Sequence, residues 1–377
     1  MSKLSILING KFLLASLEGM PRVAREVCRG LDQLLDEGRY AGLDIRIAIP
    51  RGARIDASFR NIGIERVGRL RGFLWEQIDF PLWARGRYTI NFTNTAPLAG
   101  RNGCVVVHDA QFRSSPASHH LKSRLLYAGV TPRVARRYRT VITVSKHARQ
   151  EILAYDVCRR SDIRVIANGV DHVLRSAPDR QALGRWGLLP DGYALANSYV
   201  HAHKNVRVLL QAFGDLPDRP LILFGSSTEA EYRGLGIPVP ANVRFVGRVS
   251  DEDLVSLMAH ARLFLCPSTT EGFGLPPLEA MRLGCPTICA DAGALPENCG
   301  DGALLCDPHR PDRWRETIER LWQDDAARQR LGRAGRARAE QFRWLDAARA
   351  YLDLVVAEAS AAARSGDRLP FRTAVTC

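Results

Sequence analysis

Short apolar runs alternate with segments whose apolar residues recur every three or four positions. The first period-two to continuous run, Leu4–Asn9, reads as a strand. Pro21–Leu35 then places Val23, Val27, Leu31 and Leu34 on one helical face. Asp44–Ile49, Tyr88–Phe92, Cys104–His108 and Val141–Val144 read as further strands, Ser145–Leu153 as a helix, and Ile163–Ile166 as the strand that closes this half. The polar stretch that begins Asn168-Gly169-Val170-Asp171 and runs to Pro178 reads as a linker, after which the alternation restarts. Strands are predicted at Ala194–Ala196, Leu221–Phe224, Val243–Phe245, Leu263–Cys266 and Thr287–Ala290. Helices are predicted at Glu316–Trp322, Asp324–Phe342 and Leu345–Ala362, with a frayed tail from Ser365. This order predicts an α/β protein of two doubly wound, mostly parallel halves. The expected domains are 1–172, 173–344, and a C-terminal helix with tail, 345–377, packing back towards the first domain. Ligands of such folds sit just beyond the carboxyl ends of strands, and a cleft between two halves adds a second wall.

A length of 377 residues with 46% hydrophobic and 25% charged positions suits two ordinary cores and excludes a disordered or fibrous chain. No apolar run reaches the length of a membrane span, and Asn9, Gly10 and Lys11 interrupt the apolar start before a signal sequence could form. A cytoplasmic protein is expected. Nine cysteines without a Cys-x-x-Cys pair fit neither a disulfide framework nor a metal site and read as reduced thiols. The net charge of +13 is unevenly placed. Residues 1–170 hold 28 Lys and Arg against 14 Asp and Glu, whereas 171–377 hold 25 against 26. The first half therefore faces something anionic, or carries solvated basic faces.

The densest chemistry lies in Ser268-Thr269-Thr270-Glu271-Gly272-Phe273-Gly274-Leu275-Pro276-Pro277-Leu278-Glu279-Ala280-Met281, between a predicted strand and a helix starting near Pro277. Gly272 and Gly274 let backbone N–H groups approach an oxyanion or a hydroxyl. Glu271 in the loop and Glu279 in the first helical turn can face one cleft, and two carboxylates there suit recognition of a polyol. The bland reading of Glu279, a carboxylate complementing a helix dipole, leaves Glu271 between its glycines unexplained.

This E-x7-E stretch resembles the donor site of the retaining glycosyltransferases of family 4, the group 1 glycosyltransferases. Other segments resemble the family in order: Asn9-Gly10-Lys11-Phe12 to Gly19-Met20-Pro21-Arg22, His108-Asp109, Thr143-Val144-Ser145, Asn168-Gly169-Val170-Asp171, His203-Lys204-Asn205, Gly247-Arg248-Val249-Ser250-Asp251, and Ala292–Glu297 through Asp307-Pro308. The resemblance implies a GT-B fold, two Rossmann-like domains facing each other across a cleft. It implies transfer of a hexose, mannose among the candidates, from a nucleotide diphosphate sugar to a glycan or polyprenyl-diphosphate-linked acceptor in surface polysaccharide synthesis, without a cofactor. Glu279 would bind the ribose, Glu271 the donor sugar, and Lys204 the diphosphate, while His108 would stand by the transferred sugar. Gly19, Ser198, Gly247, Gly272, Phe273, Gly274 and Leu275 complete the implied donor site. Two departures stand out: Ser198 replaces a frequent cation six residues before Lys204, and Glu18 replaces a glycine before Gly19.

Several decoys have plainer explanations. Asp251-Glu252-Asp253 imitates a metal-binding D-x-D, yet Ser250 before it and the apolar helix after it read as an N-cap with an acidic first turn. His201, His203 and the pair His119-His120 lack ligands at metal spacing. Dinucleotide and P-loop fingerprints are missing, as is a nucleophile elbow to accompany His108-Asp109. Two rivals remain: a sugar-nucleotide epimerase on the same fold, and a nucleic-acid-binding protein. The latter requires aromatics among the cations, and Phe73, Trp75 and Trp83 near Arg69, Arg71 and Arg85 offer them. Finally, Leu121–Arg139 carries Lys122, Arg124, Arg133, Arg136, Arg137 and Arg139 beside Leu121, Leu125, Leu126, Val130 and Val134. This segment is expected to face an anionic membrane surface or lipid-diphosphate acceptor, as one helix or as two short ones parted by Pro132.

Overall fold

The computed structural model describes residues 3–116 and 121–365, so His119 and His120 lie outside the described residues. The chain divides into two units, Met1–Gly169 with Trp344–Cys377, and Val170–Arg343.

Unit 1 is built on a seven-stranded sheet of parallel neighbours. Its strands are β1 (Leu4–Asn9), β2 (Leu43–Pro50), β3 (Gly63–Val67), β4 (Tyr88–Asn91), β5 (Gly103–Val106), β6 (Thr140–Thr143) and β7 (Arg164–Val165), in the order β3-β2-β1-β4-β5-β6-β7. The helix Met20–Leu34 buries Val23, Val27, Leu31 and Leu34, the stripe read from the sequence. It packs against Trp344–Ser365 so closely that a Cβ on Gly30 would stand 2.7 Å from the Ala348 Cβ. The last helix is further fixed by hydrogen bonds from Tyr40 to Asp353 (3.0 Å) and from Tyr88 to Glu358 (2.9 Å).

The opposite face of the sheet has two covers. Register aligns Leu7 with Thr89 and Val105 with Val141, placing Leu7, Val105 and Val141 on one side. Trp75 and Phe80 pack with Leu7, Ala48 and Val67, while Val130 and Val134 pack with Val105 and Val141. The helical run Gly72–Leu74, Trp75–Asp79 and Phe80–Trp83 and the helix Leu121–Arg137 therefore cover the same face. Trp75 is fully buried and its indole N–H donates to the Val67 carbonyl at 2.9 Å, so it is unavailable for the base stacking that the nucleic-acid reading requires.

Leu121–Arg137 is one continuous helix containing Pro132, which decides between the one helix and the two short ones that the sequence left open. Proline removes one N–H, but Val130, Thr131, Pro132, Val134 and Ala135 are all buried, and that packing holds the helix together. The apolar residues of this segment divide. Val130 and Val134 fill the core, whereas Leu121 and Leu125 are over three-fifths exposed and Leu126 is also exposed.

Unit 2 holds β8 (Ala194–Asn197), β9 (Leu221–Phe224), β10 (Val243–Gly247), β11 (Leu263–Cys266), β12 (Thr287–Ala290) and β13 (Leu304–Cys306), all parallel, in the order β10-β9-β8-β11-β12-β13. Eight cysteines among the described residues are buried and unbridged. Among the described residues, no helix is long and apolar enough to cross a membrane.

Candidate active site

In unit 2 the strand order reverses between β8 and β11, and the loops leaving those two strands carry the residues singled out by the motif. After β8, a single 3-10 turn, Ala202–Lys204, presents Lys204. Asn205 follows with φ +52° and donates through its side-chain amide to the carbonyls of Pro267 (3.1 Å) and Pro308 (2.7 Å). The Thr269 N–H donates to the His203 carbonyl at 2.8 Å. These bonds tie the loop after β8 to that after β11.

The result is direct contact between two charged groups, with Lys204 Nζ donating to Glu271 Oε1 at 2.7 Å. Only 12% of the Glu271 side chain is exposed. Burial pushes its carboxyl up, but the charge and hydrogen bond of Lys204, the Ser268 hydroxyl and His203 outweigh that and hold it below the usual glutamate range. Glu271 is a carboxylate at neutral pH.

The glycines explain how the loop comes so close. Gly293 has φ +62°, and a Cβ there would lie 2.6 Å from the Glu271 nitrogen. Gly274 has φ +89° at the N-cap of the helix Leu275–Arg282, which starts two residues before the expected Pro277. The Phe273 carbonyl accepts from Asn298 Nδ2 at 2.8 Å, and its ring meets Phe342 edge-on.

Glu279 is buried in that helix, and its Oε1 lies 3.1 Å from His172 Nε2. Sequence reasoning placed His172 in a linker and missed it. The one available signal was its position directly after Asn168-Gly169-Val170-Asp171. Here that segment leads into the 3-10 turn Asp171–Arg175, which sets the ring against Glu279.

Ser198 is fully buried directly after β8, with its hydroxyl against Gly225, where a Cβ would stand 2.8 Å away. Its N–H donates to the Phe224 carbonyl at 2.7 Å and its carbonyl accepts from the Tyr232 hydroxyl at 3.0 Å. Gly247, with φ +73°, ends β10 and accepts the Gly225 N–H at 2.9 Å. Asp253 belongs to a capped helix, its N–H donating to Ser250 Oγ at 3.1 Å and its carboxylate accepting from Arg185 at 2.7 Å.

His108 and Gly19 belong to unit 1. His108 follows β5, with its N–H donating to Asn94 Oδ1 at 2.8 Å and its Nε2 lying 2.7 Å from the Phe92 carbonyl. A carbonyl only accepts, so Nε2 carries the proton and Nδ1 the lone pair. Burial lowers its pKa to about 4 against the opposing pull of the Phe92 bond, leaving the ring neutral at pH 7. Gly19, with φ +54°, caps the helix Met20–Leu34, whose first turn holds no acidic residue.

Residues 193–338 match the family model of the glycosyl transferases group 1. This part of the chain belongs to that family. The transferase domain so defined contains Lys204, Glu271 and Glu279. O-antigen chain mannosyltransferase B of Escherichia coli is 37% identical over 223 residues, 54% of this chain. The match spans 57% of that relative's length, so the chain covers little more than half of it. Among solved structures, sucrose-phosphate synthase from Thermosynechococcus elongatus superposes with a TM-score of 0.73 at 20% identity, over 95% of this chain and all of that one. HepE of Anabaena, in complex with UDP and glucose, gives 0.70 at 20% identity, over 94% of this chain and all of that one. The transferase domain and unit 1 together thus have the GT-B fold.

Proposed function

We propose that the chain is a retaining glycosyltransferase that moves a hexose, mannose first, from a nucleotide diphosphate sugar to a glycan or lipid-linked oligosaccharide. The observation that carries this reading is the Lys204–Glu271 contact at the strand-order reversal of a group 1 transferase domain. A diphosphate bound there competes for the Lys204 donors and gains its charge, which stabilises the leaving nucleotide as the C1–O bond breaks. Glu271, released to the sugar, accepts hydroxyl hydrogen bonds at charge-assisted strength. The acceptor hydroxyl attacks from the side the nucleotide leaves, and its proton passes to a phosphate oxygen. Glu279, buttressed by His172, takes the ribose. The mannosyltransferase relative favours a mannosyl donor. An epimerase would need no acceptor and would return an altered sugar nucleotide, which mass spectrometry with chiral separation distinguishes.

A thermal-shift panel of GDP, UDP, GDP-mannose and UDP-glucose tests the reading, because a ligand at about a hundredfold its Kd adds about 2.7 kcal/mol to stability. At least one nucleotide should raise Tm in the parent and fail to do so in Lys204→Met. No shift with any of them would overturn the proposal.

We infer further that unit 1 docks on an anionic membrane surface. Leu121, Leu125 and Leu126 stand exposed beside Lys122 and Arg124. The other cover of the same sheet face exposes Phe73, Leu74, Ile78, Leu82 and Trp83, flanked by Arg69, Arg71 and Arg85. Apolar side chains edged by cations suit the headgroup boundary of an anionic leaflet.

A further inference from the structure

Each sheet reverses its strand order once, and both reversals hold a lysine–glutamate contact of the same length. In unit 1 the reversal falls between β1 and β4, where Lys11 Nζ stands 2.7 Å from Glu76 Oε1. Glu76 belongs to the π turn Trp75–Asp79, a distortion frequent at functional positions. Its side chain is 2% exposed, and it accepts from Asn9 Nδ2 at 2.9 Å and from the Thr95 hydroxyl at 3.1 Å on both oxygens. Asn9, at the carboxyl end of β1, also donates to Asn91 Oδ1 at the end of β4, 3.2 Å away. Lys11 Nζ also meets the Thr95 hydroxyl.

Such a cluster adds little stability, since desolvating an ion pair offsets most of its attraction and apolar residues would fill the space as well. Its place in the topology is where open α/β sheets bind ligands. The two partners are unequally exposed. Glu76 is sealed in, whereas 27% of the Lys11 side chain reaches solvent. An ammonium has three donors, and Glu76 and Thr95 engage two. Because Glu76 cancels the charge, the remaining donor suits a neutral hydroxyl oxygen better than a phosphate.

We propose that Lys11, held by Glu76 and Thr95, binds a sugar hydroxyl and forms an acceptor-sugar subsite within unit 1. The proposal rests on the glycosyl-transfer reading for the word acceptor, and it deepens that reading. Glu76 is a positioning residue: it sets the ammonium and, through Thr95, the loop whose Asn94 side chain (φ +59°) holds the His108 N–H.

The test uses full-length protein with 15N-labelled lysine side chains, titrated with methyl α-mannoside, methyl α-glucoside and sodium phosphate while the Nζ signals are followed by NMR. Lys11→Met assigns the Lys11 signal, and Lys11→Arg does so if the first variant fails to fold. The Lys11 signal should shift saturably with a glycoside, at up to about 100 mM for affinities in the millimolar range, and not with phosphate. Glu76→Gln should weaken the glycoside response by about tenfold or more and create a phosphate response, because the ammonium is then uncompensated. A purely structural role would not invert that preference. A Lys11 signal unmoved by both glycosides, or moved equally by phosphate, would overturn the proposal. The Lys204 signal in the same spectra reports on GDP and UDP, so failure of the donor reading shows separately.

Discussion

At the scale of single residues, Lys204 and Glu271 are an electrostatic unit, and variants should behave accordingly. Lys204→Met strands a buried carboxylate, so it should destabilise the fold by about 3–5 kcal/mol in chemical denaturation. Adding Glu271→Gln should restore most of that stability while transfer stays abolished. Equal stability of the single and double variants would deny the coupling. Glu279→Ala should raise the donor KM by roughly 10- to 150-fold, the equivalent of about 1.5–3 kcal/mol for charge-assisted bonds, with a smaller effect on kcat. His108 adds a pH signature. Its native pKa near 4 lies below the ordinary histidine value of 6.5, so the unfolded chain takes up the proton first. The contribution is complete above pH 6.5 and is lost as pH falls towards 4, about 3 kcal/mol in all. Glu271, also held below its usual value, adds its own loss as pH falls below the ordinary glutamate value of 4.5. Comparing urea unfolding at pH 7 and pH 4.5 for the parent and His108→Leu should show a smaller pH difference in the variant; identical differences would contradict the assignment.

Among elements, the helix Leu121–Arg137 makes the sharpest prediction. Its exposed leucines lie in the first two turns, so a Leu121/Leu125/Leu126 triple serine variant should lose co-sedimentation with anionic liposomes without loss of fold. Arg133/Arg136/Arg137→Ala should weaken binding chiefly at low salt, where screening is least. Parent-like binding by both would leave the helix as ordinary surface. Element legibility depended on burial. Interior strands such as β8, β9 and β11 announced themselves as apolar runs, and capped helices by their stripe. β3 and β13 escaped notice because β3 carries Glu65 and Arg66 mid-strand and β13 is only three residues long. The donor loop was legible because its glycines and glutamates are close in sequence. Lys11 with Glu76, and His172 with Glu279, were not, because each pair spans 65 or more positions with no local pattern to join them.

For the whole molecule, the donor reading assigns charge neutralisation to Lys204 and backbone amides, with Asp253 engaged by Arg185 and Ser250. Transfer should therefore persist in EDTA; activity lost on chelation and restored by Mg²⁺ or Mn²⁺ would contradict it.

The return of Trp344–Ser365 to unit 1 makes unit 2 an insertion: the chain leaves at Gly169 and re-enters at Trp344, with Val170 and Phe342 hydrogen-bonded at 3.0 Å beside the two crossings. During synthesis the inserted unit is complete while its host still lacks a helix. The face of Met20–Leu34 that receives Ala348 waits, uncovered, for more than three hundred residues to leave the ribosome. Vectorial folding here runs out of order, the second unit before the first. Residues 170–343 expressed alone should give a dispersed amide spectrum, whereas 1–169 alone should aggregate until a peptide spanning 344–365 is supplied. The N-terminal half is thus finished only after the unit inserted into it.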